Sequence, residues 1–81
     1  MDNNTAIIDR KVWNIIEDAS EQACAEYGVN EKEVWDDKRF GYLQEFADGL
    51  IQEVLGWGRS YESVRFSAIN YVRAVIMQFA A

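Results

Sequence analysis

The 81-residue chain has no histidine, no proline and a single cysteine, Cys24. Without histidine it lacks the commonest metal ligand and the commonest general base at neutral pH. One thiol forms neither an intramolecular disulfide nor a multi-cysteine zinc site, and it fits a reducing compartment. No apolar run approaches the ~18 residues of a membrane span. The opening Met1-Asp2-Asn3-Asn4-Thr5 is polar and acidic, unlike a secretory signal. A cytoplasmic location, no membrane association, no cofactor and no enzymatic activity are the expectations. Positive charge is also scarce: eight basic residues stand against fourteen acidic ones, a net charge of −6.

That charge is uneven. Residues 1–40 hold ten acids and five bases, net −5, whereas residues 41–81 hold four acids and three bases, net −1. Affinity for nucleic acid rests on neutralising phosphates, so a generic polyanion is disfavoured and a basic protein partner is not. Hydrophobic residues make up 49% of the chain and aromatics 14%, too apolar for disorder at this length. A single small acidic domain over residues 1–81 follows.

The pattern of apolar residues predicts an all-α fold, a small bundle of three main helices at about 6–27, 31–55 and 61–80. In the first, Ile8, Val12, Ile15, Ile16, Ala19, Ala23 and Tyr27 form one stripe, and Gly28 stands where a left-handed cap belongs. In the second, Asn30 is a candidate cap, Glu33 its capping-box partner, and Val29 and Val34 a hydrophobic staple. Gly41 falls inside it, so a kink or a split near Gly41 is expected, with Asp36 or Asp37 able to start a fresh helix; Gly56 is the expected stop. The third begins near Ser60 and is apolar over most of its circumference. Two neighbours cannot cover such an arc, so this helix is expected to be the most buried, and a homo-oligomer is expected through Phe66, Ile69, Tyr71, Ile76 and Phe79.

Cys24 lies near a helix C-terminus among acidic neighbours, where a thiolate is disfavoured, so it reads as a core thiol. The loop from Asp36 fails as a calcium site, because Lys38 and Phe40 stand where oxygen ligands are needed. Residues 51–65 resemble a helix-turn-helix, with Leu55-Gly56 at the turn and Arg59, Ser60, Ser63 and Ser67 positioned to face a groove. They depart from it at Gln52 and Glu62, where a small and an apolar residue are usual. Trp and Tyr dominate interface hot spots, and three Trp with four Tyr is a high count for this length. Trp35, with Phe40 and Tyr42 and the carboxylates of Glu31, Glu33, Asp36 and Asp37, is therefore the candidate protein-binding surface.

The leading functional expectation is a non-enzymatic interaction module that inhibits or modulates a host protein or nucleic-acid-handling machine. Small acidic helical products of phages and mobile elements, the anti-restriction and anti-CRISPR proteins among them, are similar in size and charge. The alternatives are a helix-turn-helix regulator and a small-ligand binder at an oligomer interface.

Overall fold

The structure, a computed structural model, describes residues 3–81; Met1 and Asp2, at the head of the polar opening stretch, lie outside the described residues. Four helices follow in order: α1 (Asn3–Tyr27), α2 (Glu31–Val34), α3 (Asp37–Trp57) and α4 (Tyr61–Ala80). Among the described residues there is no strand, and no helix is long and apolar enough to cross a membrane. The expected all-α bundle is what forms.

Each helix end is set by local chemistry. At the end of α1, Gly28 adopts φ +67°, while the Val29 and Gly28 N–H groups donate to the Cys24 and Ala25 carbonyls. This is the Schellman arrangement, open to glycine because it has no Cβ to strain. Asn30 Oδ1 accepts from the Lys32 N–H at 2.9 Å and opens α2. The second predicted helix does split, but at Trp35–Asp36 and not at Gly41. Asp36 Oδ1 accepts from the Arg39 N–H at 2.9 Å, and Asp36 Oδ2 pairs with the Arg39 guanidinium. A capped N-terminus and an interior glycine are each worth about 1 kcal/mol, so the cap settles the break and α3 runs through Gly41. Helix α3 also runs through Gly56, the expected stop, and ends at Gly58, which takes φ +69°. Ser60 Oγ then accepts from the Ser63 N–H and starts α4.

The core is one cluster in which Val12, Ile16, Ala23, Val34, Ala47, Val64, Ala68, Val72 and Ile76 are sealed from solvent. Helix α1 is its centre. It packs closely on both α3 and α4, whereas the backbones of α3 and α4 stay further apart. This corrects the expectation that the third main helix is the most buried: α1 buries seven residues and α4 four. Ala19 and Ala23 on α1 and Ala68 on α4 are all buried, and residues this small let helix axes approach. The surplus apolar arc of α4 is instead shared between two environments. Tyr71, Val75 and Phe79 fill the space left towards α3, with the Tyr71 ring stacked on Phe46 at 4.1 Å and Phe79 under the Arg39 guanidinium. Phe66 and Met77 face outward, 70% and 56% exposed.

Two ion pairs tie the corners. Arg73 pairs with Glu26 across α1 and α4. Arg59 pairs with Glu53 and also donates to the Ser63 hydroxyl and carbonyl and to the Ser67 hydroxyl, closing the α3–α4 corner.

Candidate functional site

The expected protein-binding residues do not form one surface. Glu31, Trp35 and Phe40 come together on a cleft between α1, α2 and α3. Asp36 and Tyr42 lie on a second cleft between the start of α3 and the end of α4, with Lys38, Arg39 and Tyr71. Glu33 and Asp37 are exposed and line neither cleft. The break at Trp35–Asp36 separates Trp35 from Asp36, and within α3 the helical period sends Phe40 and Tyr42, two places apart, to different grooves.

The first cleft encloses about 570 Å³. Its α1 wall consists of Trp13, Ile16, Glu17, Ser20 and Glu21, spaced so that they share a helix face. The Trp13 ring lies 6.0 Å from that of Phe40 across the cleft, tilted by 33°. Ser20 is the polar residue of its floor and is only 3% exposed. The Ser20 hydroxyl donates to Glu31 Oε2 at 2.5 Å and accepts from Trp35 Nε1–H at 2.7 Å. A buried hydroxyl satisfied on both sides is rigid, and it holds the Glu31 carboxylate and the Trp35 indole in fixed orientation. No lysine or arginine lines this cleft. Among the described residues the ion pairs are Arg39–Asp36, Arg59–Glu53 and Arg73–Glu26, which leaves Glu17, Glu21 and Glu31 without a cationic partner.

Cys24 is buried one turn along α1 from Ser20. Burial raises its thiol above the ordinary value; the neighbouring Ser20 hydroxyl works the other way, and the Glu31 charge adds to the rise. The thiol therefore stays protonated and acts as a small apolar side chain. Among the described residues no group of three or more acids and thiols is arranged to hold a metal ion.

Ser20 is the site residue to which nothing in the sequence points, whereas Trp13, Glu17 and Glu21 read there as edge packing and a solvated acidic face. Trp13 lies off the main apolar stripe of α1, with Glu17 one turn on and Ser20 and Glu21 two turns on. An off-stripe tryptophan in line with carboxylates was the available signal, but read on its own it is a wet face beside a core stripe.

The other expected surfaces fare unevenly. Ile76 is 0% exposed, so it belongs to the core and is not available to a second copy of the chain. Ile69, Tyr71 and Phe79 are half-buried against the core, and Phe66 alone of the five is open to solvent. Arg59, Ser63 and Ser67, placed on a groove-facing surface by the helix-turn-helix resemblance, bond to one another instead, and Ser60 caps α4. Trp57, the last residue of α3, stands 77% exposed. No protein-family model, curated protein or solved structure matches the chain, so a functional reading rests on the chemistry of the α1–α2–α3 cleft.

Proposed function

We propose that the protein is a non-enzymatic interaction module that docks a basic segment of a protein partner against the α1–α2–α3 cleft. The observation that supports this reading is the pairing state of the cleft's carboxylates. Glu17, Glu21 and Glu31 line the cleft beside its aromatic rings and have no ion-pair partner among the described residues, whereas Asp36, Glu53 and Glu26 are paired with Arg39, Arg59 and Arg73. Carboxylates left unpaired beside apolar rings offer charge complementarity and desolvated contact area at the same place, the combination from which interface anchors are built. The net charge of −6 steers a basic partner toward the chain at long range. Covering a basic surface of another protein would make the chain an inhibitor or modulator of that protein.

The reading is tested by two charge reversals matched to each other in net charge. Glu17→Lys and Glu62→Lys each change the charge equally, but Glu62 is exposed on α4, outside the cleft. Association with a basic partner, found by tagged capture and then measured by surface plasmon resonance, should weaken about tenfold or more in Glu17→Lys, the range of a lost interface charge pair. It should change little in Glu62→Lys. Equal loss in both variants would reduce the cleft to general electrostatics, and no loss in either would remove it from the interface.

A further inference from the structure

Residues 30–35 join α1 to α3 as a separate piece of structure. Helix α2 is a single turn of four residues, and one turn does not repay its own nucleation cost, so it stands only while it is packed. Both helices it joins are capped without it. The Gly28 and Val29 N–H groups close α1 on the Ala25 and Cys24 carbonyls, and the Asp36 carboxylate opens α3 on the Arg39 N–H. What holds the segment down is confined to a few points. Val34 is sealed in the core and Trp35 is half-buried. The two polar groups that reach α1, the Glu31 carboxylate and the Trp35 indole N–H, meet on the one Ser20 hydroxyl. The Val34 carbonyl accepts from the Arg39 guanidinium, and Asn30, Lys32 and Glu33 are exposed. Cys24 sits beside the same anchor: it lies one turn on from Ser20, is 4% exposed, and feels the Glu31 charge at its thiol.

We infer that residues 30–35 are a strap that opens as a unit while α1, α3 and α4 stay packed, and that its opening uncovers the Cys24 thiol. Gly28 on one side and the Trp35–Asp36 break on the other are the points about which it turns. A segment with few buried anchors, set between helices that keep their own caps, opens at a free energy well below that of global unfolding. Glu31 and Trp35 ride on the strap, so the α1–α2–α3 cleft is complete only when the strap is closed. That consequence rests on the proposed function, because it makes strap closure the regulator of that site. The opening itself does not rest on it.

Cys24 is the chain's one thiol, so its reaction with an aromatic disulfide, Ellman's reagent, reports on that position alone. The thiolate attacks the S–S bond of the reagent, forms a mixed disulfide and releases one coloured thiolate, whose absorbance gives the rate. The intact chain is labelled at urea concentrations below its unfolding transition, and global stability is measured separately by tryptophan fluorescence. Labelling should be faster than global unfolding allows. It should rise with urea by less than about a third of the global slope, because the strap is a small part of the surface exposed on full unfolding. Val34→Ala should speed labelling about tenfold or more, the scale of a truncated core side chain, and Ser20→Ala should speed it too. Val64 is sealed near the other end of α1, where Lys11 lies over the Tyr61 ring. Val64→Ala should lower global stability yet leave labelling without urea within about twofold, as expected of independent sites. Labelling that follows the global slope, or that Val64→Ala accelerates in step with its loss of stability, overturns the inference. So does a rate that Val34→Ala and Ser20→Ala leave unchanged, since the thiol is then reached by another route. No partner enters this experiment, so its failure leaves the Glu17→Lys test of the cleft untouched.

Discussion

Removing the hydroxyl of Ser20 tests the internal logic of the cleft most directly. Ser20→Ala changes one atom at a site 3% exposed and leaves the helix former on α1 no worse. Two bonds disappear: the Ser20 hydroxyl to Glu31 Oε2, and Trp35 Nε1–H to the Ser20 hydroxyl. The first is charge-assisted and falls in the range of about 1.5–3 kcal/mol, while an indole N–H left without an acceptor adds about 1 kcal/mol or more. Glu31 and Trp35 are only half-buried, so water recovers part of both. The net loss should be about 2 kcal/mol, equivalent to a fall in Tm of about 10 °C for a domain of this size. Urea denaturation followed by tryptophan fluorescence gives the stability change, and the Trp35 indole resonance reports the local one. A cycle with Glu31→Gln should show the two sites coupled by about 1 kcal/mol. A loss below about 0.5 kcal/mol, the size of an ordinary surface substitution, with the Trp35 signal unmoved, would show that the hydroxyl does not hold the cleft together.

Two glycine substitutions should have opposite signs. A Cβ at Gly41 or at Gly58 meets nothing within 4 Å, so neither outcome involves a clash. Gly41→Ala, inside α3, should stabilise by about 0.5–1 kcal/mol, and Gly58→Ala, at φ +69°, should destabilise by about 1–2 kcal/mol, both read from urea midpoints. The two apolar residues Ile76 and Phe66 should likewise separate. Ile76→Ala, in the sealed core, should cost about 2–5 kcal/mol. Phe66→Ala, on the open face of α4, should leave monomer stability within about 0.5 kcal/mol. If α4 mediates self-association, Phe66→Ala should also lower the solution mass measured by light scattering.

Much of the fold was legible because its signals are local. Of the stripe Ile8, Val12, Ile15, Ile16, Ala19, Ala23 and Tyr27, the central five are buried, while Ile8 is partly buried and Tyr27, at the end of the helix, is exposed. Gly28, Asn30 and Ser60 are capping residues whose partners lie within a few positions along the chain, and each caps where expected. Where two local signals of similar size competed, Gly41 looked like the break, yet the Asp36 cap made it five residues earlier. Gly56 and Gly58 are both glycines after an apolar run, and only the backbone turn distinguishes them.

The candidate site was half legible for a different reason. Glu31, Trp35 and Phe40 were identified from charge and aromatic content, and they do share a cleft. Asp36 and Tyr42, equally good by the same criteria, turn to the other side of α3. Phe40 and Tyr42 stand two places apart on α3 and so face roughly opposite ways, and which groove each meets depends on how α3 packs on its neighbours.

By itself, the order of residues determined the class of the molecule: helical, acidic, without histidine chemistry, with helix ends at capping residues. Those properties come from composition and from interactions between near neighbours in the chain. Only the tertiary structure decided that α1 is the central helix, that Ile76 is core while Phe66 is surface, and that Ser20 joins Glu31 to Trp35 across eleven and fifteen residues. The physical reason is that an apolar stripe specifies a buried face but not the helix that covers it. Which stripes meet, and which side chains then line the spaces between them, is settled by the packing of whole helices against one another.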